Sequence, residues 1–211
     1  MVDRDPKSRT KPNGGDSGER RKRLIAAFSK AAGERGYAGL DLTTVSRYAG
    51  ISEEGLHEQF ENLEQVLMAA QDAFLERLWL DVSSACETDL EWPQQVRVAV
   101  TAVLSSLVEA SDVARVFAIE APAASLAVAE RQFVGLERFA ALLRDGRRLY
   151  PRAQTLPAVT ERAIVGGIAS IVSGHLLAED PRAIPQLEAE LVELVLIPYL
   201  GEGEARRVAV A

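Results

Sequence analysis

Apolar residues in this chain recur at intervals of three and four, and that spacing constrains its fold more than any other feature. Leu24, Ile25, Phe28, Ala31 and Ala32 form one such series. Val66, Leu67, Ala70, Phe74 and Leu78 form a second, and Val96, Val100, Val103, Leu104 and Leu107 a third. A helix, with 3.6 residues per turn, gathers each series onto one face. No stretch shows sustained strand-type alternation bounded by hairpin turns. The expected fold is all-α with about nine helices: three small ones, a connector, and five in a larger bundle.

Turn and cap residues divide the series. Met1 to Gly18 is rich in Lys, Arg, Asp, Gly, Pro and Ser with almost no apolar side chain, so it reads as a disordered arm. A first helix runs from Glu19 to the stop at Gly36. Asp41 can cap a short second helix over Leu42 to Tyr48, Gly50 forces a turn, and Ser52 can cap a third holding Leu56 and Phe60. Two short helices joined by a tight Gly turn form a helix-turn-helix, in which Val45, Ala49, Ile51 and Leu56 would fix the crossing angle. Asn62 can cap a connector from Glu64 to about Asp81. Further helices are expected from Trp92-Pro93, from Ser111 to Glu120 with Pro122 as terminator, and from Ser125 to Asp145 with Leu126, Phe133, Leu136, Ala140 and Leu143 in phase. After a loop over Gly146 to Leu156 come helices over Pro157 to Ala178 and Ile184 to about Ile197. The expected division is an arm at 1–18, a helix-turn-helix domain at 19–62 and a helical bundle at 63–211.

Composition narrows the function. Of 211 residues, 47% are hydrophobic and 26% charged, enough apolar material for a sizeable core. Cys86 is the single cysteine and His57 and His175 the two histidines, which leaves no disulfide framework and no Cys/His metal cluster. There is no Gly-rich phosphate loop and no nucleophile elbow, so neither an enzyme nor a cofactor or metal site is expected. No apolar secretory segment follows the basic run Arg20 to Arg23, and the apolar stretch Ala163 to Leu177 is too short and too rich in Gly and Ser to span a bilayer. The protein is expected in the cytoplasm. The net charge of −7 is uneven: residues 1–62 carry 11 Lys+Arg against 10 Asp+Glu, and residues 63–211 carry 13 against 21.

From Leu24 to Leu67 the chain resembles the TetR family of bacterial transcriptional regulators. The resemblance rests on Leu24-Ile25-x-Ala27, Gly36-Tyr37, Leu42-x-x-Val45, the run Ala49-Gly50-Ile51-Ser52, and Leu56, Phe60, Glu64 and Leu67. It implies a homodimer whose second and third helices enter the major groove of a double-stranded operator, and whose C-terminal bundle binds a small effector that changes the spacing of the reading heads. The DNA-facing set it implies is Arg20, Arg21, Thr43, Arg47, Ser52, Glu53, Glu54, Gly55 and His57. The chain departs from the family pattern at Asp41, His57 and Leu63, and it puts three carboxylates, Glu53, Glu54 and Glu58, on the reading helix. Two readings stand. Acids near a helix N-terminus complement its dipole, and a Glu can accept from cytosine in the groove. They also repel phosphates, which fits a relative of the fold that has weakened or lost DNA binding.

Two more sets follow from the bundle. Gly166, Ser170 and Gly174 strip one helix face of bulk, and Leu191 to Ile197 is apolar nearly all round, so Leu191, Leu194 and Val195 join the three small residues as an expected four-helix dimer interface. Phe117, Phe133 and Phe139 fall in the middle helices, where an apolar effector would sit. A repressor released by such an effector is the expected function.

Overall fold

A computed structural model describes residues 14–86, 89–178 and 180–211. Among these every regular element is helical. Helix α1 spans Gly14–Arg35, five residues earlier than its apolar face suggests, so the expected arm ends within a helix; residues 1–13 lie outside the described residues. A 3₁₀ turn, Tyr37–Gly39, leads to α2 (Leu42–Ala49), α3 (Glu53–His57) and the long α4 (Leu63–Ala85).

Local chemistry sets these boundaries. The Asp41 carboxylate accepts from Thr44 N–H at 2.7 Å, Ser52 Oγ from Gly55 N–H at 3.2 Å, and Asn62 Oδ1 from Gln65 N–H at 2.9 Å. Gly50 ends α2 in the left-handed conformation (φ 61°, ψ 39°), open to glycine at no steric cost. Leu24, Phe28, Val45, Leu56 and Phe60 close a buried core between α1, α2 and α3. That core does not stop at residue 62. Val66, Leu67 and Ala70 of α4 belong to it, as do Val116, Phe117, Ala121 and Val128.

The rest of the chain is a bundle built on α4. It comprises α5 (Trp92–Glu109), α6 (Ser111–Arg115), α7 (Ala121–Ala124), α8 (Leu126–Arg144), α9 (Gly146–Leu149), α10 (Thr160–Leu177), α11 (Glu188–Leu200) and α12 (Glu202–Ala209). A wide π turn, Val116–Glu120, joins α6 to α7. Pro122 therefore does not terminate the helix at Glu120. It has no N–H to offer the carbonyl one turn back, and the chain widens and continues to Ala124. The segment read as a loop over Gly146 to Leu156 holds α9 and a 3₁₀ turn. Gly146 is needed there: a Cβ would lie 2.5 Å from the Trp92 ring and 2.8 Å from Tyr199. The helix expected from Ile184 is a 3₁₀ turn, Pro181–Leu187, followed by α11. Helix α12, which the apolar spacing did not announce, folds back on α11 and buries Ala205 and Ala209. No helix of the described residues is long and apolar enough to cross a membrane.

One ion pair sits inside the bundle. Glu161 is 1% exposed, and Arg147 grips it with Nε at 2.6 Å and Nη2 at 2.9 Å while also donating to the carbonyls of Leu156 and Pro157. The Tyr199 hydroxyl donates to the same carboxylate at 3.0 Å. Burial alone would raise the Glu161 pKa, but hydrogen bonds from Arg147, its own backbone and Tyr199 hold it below the usual carboxylate range. Burial first, then the facing Glu161 charge, pushes the Tyr199 phenol above its ordinary value.

Candidate nucleic-acid interface and effector cavity

The outer surface of α2 and α3 carries Thr43, Arg47, Ser52, Glu53, Glu54 and His57, all exposed. Gly55, expected among them, is buried: its Cα faces inward and an added Cβ would lie 3.0 Å from Ile51 Cγ2, so it serves the close approach of turn and helix rather than the outer surface. Two of the three acids are engaged within the chain. Thr43 Oγ1 donates to Glu53 at 2.7 Å, and Arg20 Nη1 holds Glu58 at 2.5 Å, which leaves Glu54 as the outward acid. The basic run Arg20 to Arg23, of which Arg20 and Arg21 are expected to face DNA, is largely a staple within the chain. Arg21 donates to the carbonyl of Gln59 at 3.2 Å and lies 4.2 Å from the Phe60 ring centre, and Arg23 donates to the carbonyl of Ala49 at 2.8 Å. These bonds fix α1 against the helix-turn-helix, and because α1 starts at Gly14 the basic run lies nearly two turns in, past the first turn where the helix dipole would disfavour it.

Below the head, α4, α5, α8 and α10 surround a cavity of about 170 Å³. Phe74, Leu75, Leu78 and Val82 of α4 form one wall and Val103, Leu104 and Leu107 of α5 another. Leu136 and Phe139 of α8 and Ile168 and Val172 of α10 close it. Of the three phenylalanines expected here, Phe139 lines the cavity and meets Trp79 edge-on at 5.7 Å. Phe117 stands behind the wall, its ring 5.2 Å from that of Phe74. Phe133 is a correction: it is 74% exposed, as Leu126 is 76% exposed, because the inward phase of α8 runs through Val128, Gln132, Leu136 and Phe139, and Phe133 is turned about 100° from Gln132. The series that includes Val128 and Gln132 was the legible signal, masked by the bulk of Phe133.

Two structural links join cavity and head. The first is α4, whose Ala70 lies in the head core and whose Phe74 borders the cavity. The second is the π turn. Ala118 on it lines the cavity, and two residues later Glu120 Oε2 accepts from Tyr37 N–H at 2.6 Å while Arg115 holds the other oxygen at 2.8 Å. Gly36 (φ 72°) lets the head come this close, since a Cβ there would lie 3.2 Å from the same carboxylate.

The expected interface residues separate. Gly166, Ser170 and Gly174 are exposed, and a Cβ added at either glycine meets nothing within 4 Å. Leu194 of α11 is 42% exposed, whereas Leu191 and Val195 are buried in the chain's own core. That is the correction to the reading of α11: its apolar circumference is used largely within the chain, packed by α5 and by α12.

No protein-family model matches the chain, and neither does any curated protein. Solved structures do match. The fatty acid degradation regulator FadR from Bacillus halodurans superposes with a TM-score of 0.72 at 16% identity, over 91% of this chain and 97% of that one. FadR from Bacillus subtilis, in complex with stearoyl-CoA, gives 0.65 at 15% identity over 85% and 98%. A TetR-like transcriptional regulator from Rhodococcus gives 0.58 at 18% identity over 84% and 94%. The all-α fold of this chain is that of the TetR regulators.

Proposed function

We propose that this chain, carrying the TetR fold, is a dimeric DNA-binding transcriptional regulator, a repressor released by a mostly apolar small molecule. The observation that supports it best is the double role of α4, which is part of the head core at Ala70 and a cavity wall from Phe74 to Val82. A molecule that fills the cavity changes the seat of the reading head through α4 and, by way of Ala118 and Glu120, through the Gly36-Tyr37 turn. A hundredfold preference for the non-reading spacing corresponds to about 2.7 kcal/mol of coupling. In this reading Thr43, Arg47, Ser52, Glu54 and His57 face DNA, Arg20 and Arg21 orient the motif, and the open strip of Gly166, Ser170 and Gly174 with Leu194 forms the contact between two copies. Ile171 and Leu177, large apolar residues exposed on α10, extend that strip. The division into a head and a bundle is a functional one, since their cores are continuous.

One set of observations favours the second reading, a protein of this fold that does not read DNA: Arg20 and Arg23 are engaged by the chain's own groups near the reading motif. Binding to a random duplex across a salt series decides. A reader shows a steep negative slope of log affinity against log salt, and Arg47→Ala flattens it by about one unit. Duplex binding that ignores salt, or is the same in Arg47→Ala as in the parent, overturns the DNA-reading assignment.

A further inference from the structure

The cavity has two polar lining residues, Gln132 and Ser173, and among the described residues no Lys, Arg, His, Asp or Glu lines it. A carboxylate or phosphate placed there loses its water with no cation to meet it, a cost that apolar burial does not offset. Cations do stand close to the wall. Arg131 and Arg138 lie in a groove between α4 and α8 that shares only Leu75 and Phe139 with the cavity. Asp72 takes Arg131 in a two-pronged grip and Glu76 takes Arg138, and with Glu130 the groove holds three carboxylates against two guanidiniums. It offers no net attraction to an anionic head group.

Gln71 supplies an independent observation. Its side chain is 1% exposed, and neither its amide nitrogen nor its amide oxygen has a hydrogen-bond partner among the described residues. A buried amide with both functions unmet carries its full desolvation cost. It is not itself a lining residue, but it precedes Phe74, Leu75 and Leu78 of the cavity wall by three, four and seven residues and so shares their face of α4, one turn nearer the head.

We propose that the cavity is built for an uncharged aliphatic molecule with a single hydrogen-bonding group, an alcohol, ketone, ester or amide, and that the Gln71 amide reads that group. The inference rests on the effector-released reading above and names its ligand class. A carbonyl accepts from Gln71 Nε2–H, and a hydroxyl can also donate to Oε1, while the tail lies against Leu78, Val103 and Val172. The bond forms on the stretch of α4 between Ala70 of the head core and Phe74 of the cavity wall, so it bears on the segment that seats the head.

The test uses the full chain and four probes of similar length: decanol, methyl octanoate, decanoate and n-decane, titrated calorimetrically. Decanol and methyl octanoate are expected to bind at least about tenfold more tightly than decanoate. Gln71→Leu should lower their affinity by about tenfold, the worth of one hydrogen bond, leave n-decane unchanged and raise the melting temperature. Unchanged n-decane binding also shows that the variant is folded. Decanoate binding as well as decanol overturns the uncharged class. Decanol binding equally to Gln71→Leu and the parent, or losing its advantage only in Gln132→Leu, overturns the role of Gln71. Failure of all four probes to bind the parent removes the effector cavity itself, and with it both readings.

Discussion

The reading head and the bundle are made of the same kind of element, yet they are specified differently. In the head each of α2, α3 and α4 starts on a side-chain cap, α2 ends on a left-handed glycine, and the core between them is closed. In the bundle Ser125 caps α8, but α5, α10, α11 and α12 have no side-chain cap, a π turn and two 3₁₀ turns interrupt the helices, and the interior keeps a void. The head is defined by local chemistry, whereas the bundle is defined by packing, and that packing is incomplete at the cavity.

The same substitution in the two regions gives the sharpest test. Leu56→Ala empties a site in the closed head core and is expected near the upper end of the roughly 2 to 5 kcal/mol seen for such truncations, while Leu104→Ala, beside an existing void, should fall near the lower end. Denaturant unfolding of both variants measures this, and equal losses would erase the contrast in packing.

Next in size is the buried ion pair of the bundle. Arg147→Ala leaves Glu161 buried without its cation, at an expected cost of about 3 kcal/mol. The pH dependence should invert with it. In the parent the Glu161 pKa is depressed, so its contribution is complete above the ordinary value of 4.5 and fades as the pH falls below that. Without Arg147, burial raises the pKa, and the variant should recover part of its loss in acid as Glu161 takes up a proton. Tyr199, with a raised pKa, stabilises below its ordinary value of 10.0, and that contribution fades as the pH rises above it. Thermal melts of parent and variant across the acid range check the inversion; parallel profiles would mean that Arg147 does not set the state of Glu161.

The smallest effect on the folded chain is expected at Gly174→Leu, because a side chain there meets only open space within the chain. Stability of the monomer should hold or rise by up to about 1 kcal/mol, since leucine is the better helix former, whereas an interface overpacked by about 1 to 3 kcal/mol loses one to two decades in dimer affinity. Light scattering across a dilution series measures it. A parent that is monomeric at micromolar concentration would remove the proposed contact.

The head was legible because its signals are local. A cap acts over three residues and a left-handed glycine over one, so Asp41, Gly50, Ser52 and Asn62 can be read without knowing what lies across the core. The Gly166, Ser170 and Gly174 strip was legible for a similar reason, since three small residues at a spacing of four are bare on any helix. In α8 the bulk of Leu126 and Phe133 suggested an inward face that the structure turns to solvent, because apolar size says nothing of which neighbour arrives. In α11 the stretch Leu191 to Ile197, apolar at every position but Glu193, suggested a partner chain, where α12 already covers part of the helix.

The sequence alone determined that this chain is all-α, that a capped helix-turn-helix opens it, and that its first core is built on Leu24, Phe28, Val45 and Leu56, because period, caps and turn glycines act within a few residues. Only the tertiary structure decided that Arg20, Arg21 and Arg23 brace the head, that Glu120 reaches the Tyr37 N–H across 83 positions, and that Gln71 is buried with its amide unmet, one turn along α4 from the wall of an apolar cavity. Those features depend on which helix faces which, and long-range packing leaves no periodic trace in the chain that bears it.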